Sequence, residues 1–280
     1  MLRSVSRSNS SRGIAAVVGV GPRLGSAVAR KFASEGYTIA ILSRDLGTSI
    51  YPLARSSVLL PCIFPRSSFD RKKLSQLAEE IAQEAKAQVF ALRVDCADAR
   101  SVREAFEGVL SLGPVEVLVY NACEPPPAND DDAAAARPTP FLAVTPDAFH
   151  RALAVSAGGA FHCAQQVIPG MVERGRGTII FTGSSASVTG FAGYSDLSCG
   201  KFALRGLSQS LAREFQPAGV HIAHVIIDGV IGERRSPRSS RAGYTAGADP
   251  DAVAQSYWHV HAQDKSAWTH EMDIRSPSFM

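Results

Sequence analysis

Four side chains that can donate a hydrogen bond or a proton lie close together in the second half of the sequence. Ser184 and Ser185 end an apolar run, and Tyr194 and Lys201 follow on an amphipathic stretch. Hydroxyl, phenol and ammonium groups can all hold a polar oxygen, and a phenol can also pass it a proton. Leu197 lies between the tyrosine and the lysine and has no proton to give. The source of a proton at this site is therefore a separate question from the binding of a polar oxygen.

These residues resemble the active-site segment of the short-chain dehydrogenase/reductase family, whose pattern is a serine, a spacer and then Tyr-x-x-x-Lys. Lys201 matches the lysine, and Ser184, thirteen residues before position 197, matches the serine, with Ser185 as its neighbour. The tyrosine position falls on Leu197. The resemblance covers about residues 14–231. It implies that a phenol passes a proton as hydride moves to or from a nicotinamide, while the lysine holds the ribose and lowers the phenol pKa.

Other positions of the family pattern have also changed. The family's asparagine falls on Ser156, its Pro-Gly on Asp228 and Gly229, and its threonine on Glu233. Losing a positioned acid costs about 10²–10⁴-fold in rate. Tyr194 is a candidate replacement, because on a continuous helix it would share a face with position 197, about 4.5 Å away along the axis. The alternatives are that Tyr194 packs against a substrate loop and that the two serines only cap a turn.

A glycine-rich turn between an apolar run and an amphipathic stretch predicts a phosphate cradle. Glycines allow a tight turn and close approach of a pyrophosphate, and free N–H groups at a helix start favour negative charge. Arg23 stands at the central glycine of the family pattern, where it either crowds or pairs with a phosphate; Gly21 is a candidate source of the missing backbone freedom. The residues expected to form the cradle are Gly19, Gly21, Arg23, Leu24 and Gly25.

The residues after the second predicted strand are expected to determine whether the cofactor is NADP or NAD. Ser43 and Arg44 stand there, and a guanidinium suits the 2′-phosphate of NADP, whereas an acid such as the adjacent Asp45 suits NAD. The sequence therefore favours NADP(H) over NAD(H). By resemblance, Asp95 is the adenine-contacting acid and Asn121 belongs to the nucleoside turn.

Short apolar runs alternate with amphipathic stretches along the chain. The runs are continuous, as in strands buried on both faces of a parallel sheet. This order predicts an α/β fold with one Rossmann-type, doubly wound parallel sheet and helices on both faces, with ligands at the carboxyl ends of the strands. The predicted strands are 14–20, 37–42, 89–94, 115–120, 178–181 and 221–227, and the predicted helices are 26–35, 74–85, 102–110, 149–173 and 202–215.

Two segments interrupt this order. Residues 47–71, rich in Pro and Ser, form a predicted surface loop, either native or an alternative-transcript insertion, and residues 124–146 form a second insertion at the rim of the site. We therefore expect a basic, Ser-rich tail over residues 1–13 and one domain over residues 14–280, with a C-terminal extension at about 234–280. Trp258 and Trp268 are expected to pack this extension onto the sheet edge or a partner subunit.

Composition sets limits on the function. The 280 residues are 45% apolar and carry a net charge of +3, which gives no indication of nucleic acid or membrane as a partner. Five cysteines show no paired spacing, and the histidines at 221, 224, 259 and 261 do not form a ligand cluster, so no metal is expected. A cytoplasmic location is expected. The Arg- and Ser-rich amino terminus leaves a mitochondrion or plastid as the alternative.

Three hypotheses follow from the sequence. The first is an atypical oxidoreductase that moves hydride to or from a small-molecule carbonyl or alcohol, with Ser184, Lys201 and Tyr194 at the reaction site. The second is a catalytically silent NADP(H)-binding relative that acts as a sensor or interaction subunit. The third is that Arg23 prevents nucleotide binding. A homodimer or homotetramer through helices 149–173 and 202–215 is implied by the resemblance alone.

Overall fold

A computed structural model describes residues 12–44, 74–124, 138–229, 231–232 and 247–276. Within these residues, seven parallel strands form one sheet in the order β3-β2-β1-β4-β5-β6-β7. The strand order reverses between β1 and β4, which is the place where open α/β sheets bind ligands. The strands are β1 Arg12–Val18, β2 Tyr37–Ser43, β3 Val89–Arg93, β4 Val115–Tyr120, β5 Gly177–Thr182, β6 Val220–Asp228 and β7 Glu271–Arg275.

Within the described ranges, α-helices cover both faces of the sheet. Helices α1, α2 and α7 pack on one face, and α3, α5 and α6 pack on the other. The central strands are buried on both faces, which explains why their sequences are continuous apolar runs. This architecture confirms the predicted fold class. The helices are α1 Leu24–Ser34, α2 Leu74–Ala85, α3 Ala99–Leu112, α4 Pro146–Leu153, α5 Gly159–Glu173, α6 Ser195–Phe215 and α7 Pro250–His261.

The helix predicted over residues 149–173 is interrupted. Thr145 caps α4 through its side-chain oxygen, and a π-helical turn at Ala154–Gly158 separates α4 from α5. The hydroxyl of Tyr120 on β4 donates a hydrogen bond to the Val155 carbonyl inside that turn. Hydrophobic periodicity could not indicate this interruption, because the turn inserts only one extra residue into an apolar helical face.

The C-terminal extension adds a strand that the sequence did not predict. β7 pairs in parallel with β6 and forms an edge of the sheet. Trp258 on α7 packs against Phe32, and Trp268 stacks on His221 of β6 with ring centroids 4.7 Å apart. Of the two surfaces expected for this extension, it therefore covers the edge of its own sheet.

Several predictions concern residues outside the described ranges. The 47–71 insertion, the basic tail before residue 12, residues 125–137 of the second insertion and Glu233 are among them. Their assignments remain predictions, as does the division into one domain with insertions. None of the helices in the described ranges has the length and apolar character needed to cross a membrane.

Candidate active site

The loops that follow the strands meet at the carboxyl edge of the sheet around the β1–β4 reversal. Gly19 follows β1 with a φ of 82°, and a Cβ at this position would collide with the backbone of Ala122 after β4. The Asn121 side chain donates a hydrogen bond of 2.9 Å to the Gly19 carbonyl, and the Asn121 N–H donates to Val18. Glycine is therefore required at position 19. Asn121 fastens the turn after β1 to the turn after β4.

The start of α1 lies directly beyond this turn. A Cβ at Gly25 would lie 2.8 Å from the Cα of Val20, so a glycine lets the start of α1 pack directly against the backbone of the turn after β1. The positive φ in the turn belongs to Gly19, whereas Gly21 is not among the described glycines with positive φ. The role of Gly21 as the source of the missing backbone freedom stays a prediction. A tight turn at a helix start fits a phosphate group.

Arg23 lies at the N-cap position of α1. Its carbonyl accepts hydrogen bonds from the Ala27 N–H and the Ser26 hydroxyl, and its side chain makes no capping hydrogen bond. Arg23 is half-buried, and Leu24 beside it is buried. The backbone of Arg23 thus builds the helix start.

Charged residues after β2, β3 and β4 form one network with α4. Arg44 Nη1 lies 3.0 Å from Glu124 Oε2, and Arg151 Nε lies 3.2 Å from Glu124 Oε1. Arg151 Nη2 lies 3.5 Å from Asp95 Oδ2. The other carboxylate oxygen of Asp95 accepts from the Ala97 N–H. The structure thus brings Arg44 and Asp95 into one network, and sequence reasoning missed Glu124 and Arg151.

Lys201 is buried below the end of β5. Its side chain projects from α6 with 1% exposure, and Nζ donates a 2.9 Å hydrogen bond to the carbonyl of Thr182, the last residue of β5. Among the described residues this is the hydrogen bond that Nζ makes. An ammonium has three donors, so two remain for a ligand at this edge. Burying an ammonium group costs free energy unless the charge is paired. A fully buried lysine is therefore unusual in a purely structural role.

The serines lie two and three residues beyond Thr182. Ser184 is buried, and its hydroxyl makes no hydrogen bond within ordinary limits among the described residues, although it faces the Ser187 N–H in a capping-box arrangement. The Ser184 N–H donates to the hydroxyl of Ser187, and Ser185 begins a 3₁₀ turn that ends at Ser187. A buried hydroxyl without a partner is costly, and a substrate oxygen is a group that could satisfy it.

His224 lies behind this turn. A Cβ at Gly183 would collide with the His224 ring, so the glycine lets the imidazole lie directly against the end of β5. His224 Nδ1 lies 3.1 Å from Glu271 Oε2, and Arg205 holds the same carboxylate. Burial lowers the pKa of His224 to about 4. No sequence signal distinguished this histidine from an ordinary buried one.

The remaining reaction positions have different geometry from that expected. Ser156 is buried in the π-helical turn, with its hydroxyl 2.8 Å from where a Cβ of Gly200 would lie. Tyr194 is buried at the N-cap of α6, with φ −133° and ψ 35°, so it precedes the helix that carries Leu197. Tyr194 therefore stands directly before the helix on which it would share a face with position 197, and its role as a replacement donor stays a prediction. Burial raises the pKa of the Tyr194 phenol.

Strand order, loop convergence and the buried lysine define a doubly wound α/β protein of the Rossmann type, with polar side chains at the carboxyl ends of its central strands. Residues 67–242 match the family model for short chain dehydrogenase. The chain therefore belongs to the short-chain dehydrogenase family.

Individual relatives support this assignment. The chain is 35% identical over 133 residues to human (Homo sapiens) 17-beta-hydroxysteroid dehydrogenase type 1, covering 47% of this chain and 37% of that relative. The chain thus spans little more than a third of that protein. A crystal structure of a short-chain dehydrogenase from Rhodopseudomonas palustris is 29% identical, with a TM-score of 0.70 over 94% of this chain and 98% of that one. A metagenomic short-chain oxidoreductase in complex with NADP is 21% identical, with a TM-score of 0.70 over 96% and 98% of the two chains, and shows likeness of fold.

Proposed function

We propose that this protein is an atypical short-chain oxidoreductase that uses NADP(H) to move hydride to or from a small-molecule carbonyl or alcohol. The observation that carries the proposal is Lys201. It is a buried ammonium that donates a hydrogen bond to the carbonyl of Thr182, two residues before the buried Ser184, at the carboxyl edge of the sheet where the resemblance to the family implies the reaction site. The nicotinamide supplies or accepts the hydride when it is bound.

Several residues of the chain fit the dinucleotide. The turn at Gly19 and the start of α1 at Leu24 and Gly25 would hold the diphosphate, with Arg23 at its rim. Ser43, Arg44, Asp95 and Asn121 would surround the adenosine. Lys201 would hold the nicotinamide ribose through its two remaining donors. The arginine after β2 favours NADP(H) over NAD(H), because a guanidinium can bind two oxygens of a 2′-phosphate.

The substrate oxygen needs a hydrogen-bond donor and, in reduction, a proton. The Ser184 hydroxyl would hold that oxygen, with Ser185 as its neighbour. Leu197 supplies no proton, so a proton would reach the oxygen from water or from Tyr194. Tyr194 is buried and precedes Leu197 by three residues. Ser156 stands where the family orders a water. We therefore expect slow turnover, reduced by about 10²–10⁴-fold relative to a site with a positioned acid.

The absence of a proton donor at Leu197 supports a second function, that of a catalytically silent NADP(H)-binding subunit. Such a protein would keep the cradle and Lys201 and would act as a sensor or interaction partner. In both proposals the ligand is a small molecule, with neither nucleic acid nor a membrane as a partner. The proposed assembly is a homodimer or homotetramer, and the proposed location is cytoplasmic, with an organelle as the alternative.

Titration separates nucleotide binding from its absence. NADPH and NADH fluorescence should change on addition of the protein, with tighter binding of NADPH. If neither coenzyme binds at millimolar concentration, both functions fail and the third hypothesis, a cradle blocked by Arg23, holds.

A carbonyl panel with the wild type and three variants then separates the two functions. Leu197→Tyr should raise NADPH oxidation by at least tenfold, because it restores a phenol four residues before Lys201. Leu197→Phe is the matched control, since it adds the ring without the hydroxyl. Measurable wild-type activity that is lost in Tyr194→Phe supports the oxidoreductase with Tyr194 as donor. A wild type without activity and an active Leu197→Tyr support the silent relative.

A further inference from the structure

Two arginines converge on one carboxylate at the rim of the cradle. Arg44 Nη1 contacts both oxygens of Glu124, at 3.0 and 3.3 Å, and Arg151 Nε lies 3.2 Å from Oε1. Arg151 reaches on to Asp95 at 3.5 Å. The two guanidinium groups therefore share a single anion that is only 20% exposed.

The sheet order gives this network its position. β1 lies between β2 and β4. Arg44 directly follows β2, and Glu124 lies in the turn after β4. Their ion pair therefore passes across the end of β1, over the turn that begins at Gly19. This is the side of the cradle on which the proposed function puts the adenosine ribose.

We propose that Arg44 and Arg151 together form a site for the 2′-phosphate of NADP(H), and that Glu124 occupies this site as an internal competitor. This inference rests on the proposed function and assigns Glu124 as a residue that sets coenzyme specificity. A 2′-phosphate carries more negative charge than a carboxylate and offers more acceptor oxygens, so it can replace Glu124 between the two guanidinium groups.

The competitor acts unequally on the two coenzymes. NADP(H) must displace Glu124 from Arg44, and it then lies near a displaced negative charge. NAD(H) has no 2′-phosphate, so it needs no such exchange, and a carboxylate can accept a hydrogen bond from its ribose hydroxyl. Glu124 therefore weakens NADP(H) binding and leaves NAD(H) binding unchanged or stronger. Since both arginines are about 40% exposed, the ion pairs are weak enough to be displaced.

Calorimetry with nucleotide fragments tests the phosphate site without the nicotinamide. The probes are 2′,5′-ADP and 5′-AMP, titrated into the wild type, Glu124→Gln and Arg151→Gln. Glu124→Gln should tighten 2′,5′-ADP by about three- to tenfold and leave 5′-AMP within twofold, the range expected for a partly exposed ion pair. Arg151→Gln should weaken 2′,5′-ADP by a similar factor.

Glu116→Gln is the matched control. Glu116 lies on β4, four residues before Tyr120, and pairs with Arg176 at 2.7 Å, with 16% of its side chain exposed. The same change of charge is thus made at the opposite end of the same strand. Glu116→Gln should leave the affinity of both fragments unchanged. In every variant, the affinity for NADPH should change as that for 2′,5′-ADP does, and the affinity for NADH as that for 5′-AMP does.

The outcomes separate this inference from the proposed function. If the wild type binds coenzymes but Glu124→Gln leaves the 2′,5′-ADP to 5′-AMP affinity ratio unchanged, the inference is overturned and the proposed function stands. The same holds if Glu116→Gln changes the ratio as much as Glu124→Gln does. If neither the wild type nor Glu124→Gln binds any of the four nucleotides, both are overturned.

Discussion

The buried ammonium group of Lys201 is the central feature of the candidate site. The residue is 1% exposed, and its Nζ donates a hydrogen bond to the carbonyl of Thr182, the last residue of β5. In a purely structural role, an apolar side chain of similar length would fill the same space at no desolvation cost. Loss of the Lys201 charge is therefore expected to keep or raise the stability of the fold and to weaken coenzyme binding.

Lys201→Met should keep or raise the melting temperature and weaken NADPH binding by at least about tenfold, the cost of losing charge-assisted hydrogen bonds. Differential scanning fluorimetry and NADPH titration measure the two effects. Lys31→Met is the control, because Lys31 pairs with Glu35 on the surface of α1 and lies outside the pocket. An unchanged affinity in Lys201→Met would remove the lysine from the coenzyme site.

Sequence spacing located part of the site and missed part of it for a physical reason. Lys201 and Ser184 are recognisable because a helix and a strand end fix their spacing along the chain. Glu124 and Arg151 are not, because their contacts join loops and a helix that are distant in sequence. An ion pair between such loops leaves no periodic pattern. The position of Tyr194 at the N-cap of α6 could not be predicted, because helix starts are uncertain from sequence by one or two residues.

At the scale of elements, α5 depends on a glycine to reach the sheet. A Cβ on Gly159 would collide with the Tyr120 hydroxyl and lie 2.6 Å from the Cys96 carbonyl. These groups belong to β4 and to the loop after β3, the same region that positions Asp95. The closeness of α5 to the sheet thus supports the adenosine side of the candidate site.

Gly159→Ala should destabilise the protein by about 1–3 kcal/mol, because rigid backbone and a buried ring have to shift. Gly206 on α6 is the matched control: it is exposed, and a Cβ there would meet nothing within 4 Å. Gly206→Ala should stabilise the protein by about 0.5–1 kcal/mol. Urea unfolding measures both. Equal effects of the same sign would refute the packing argument.

Some buried elements could be predicted from the sequence, whereas the edge strand could not. β4 and α2 match their predicted bounds, because buried apolar runs and amphipathic periodicity carry clear signals. β7 alternates exposed and half-buried residues with charged side chains at Glu271, Asp273 and Arg275. Its place is set by backbone pairing with β6 and by the Arg205–Glu271 ion pair, neither of which is visible as an apolar run.

At the scale of the whole molecule, both faces of the sheet bury neutral histidines. His224 lies on the α6 face and His261 on the α7 face, where its ring joins Tyr37 of β2 to Thr178 of β5. Burial lowers the pKa of each to about 4, and it also lowers the pKa of His221. The folded state therefore binds fewer protons than the unfolded chain, whose histidines titrate near 6.5.

The sign of the pH dependence follows from this difference. Stability should be level above about pH 7 and should fall as the pH decreases from about 6.5 towards 4, because only the unfolded chain takes up these protons. Each buried histidine contributes up to about 1.4 kcal/mol per pH unit in this window. Urea unfolding between pH 7 and 5.5 measures the slope in a range where carboxylates contribute little.

His224→Asn should reduce that slope by up to one proton, because asparagine does not titrate but can still donate to Glu271. His259→Gln is the control. His259 is exposed, so this substitution should leave the slope unchanged. The comparison rests on slopes, so it holds even if His224→Asn lowers stability at every pH. A slope that is identical in His224→Asn and the wild type would mean that His224 is protonated in the folded state and that burial does not govern its charge. In that case the His224–Glu271 contact would be an ion pair joining β6 to the edge strand, and its loss would be felt most at low pH.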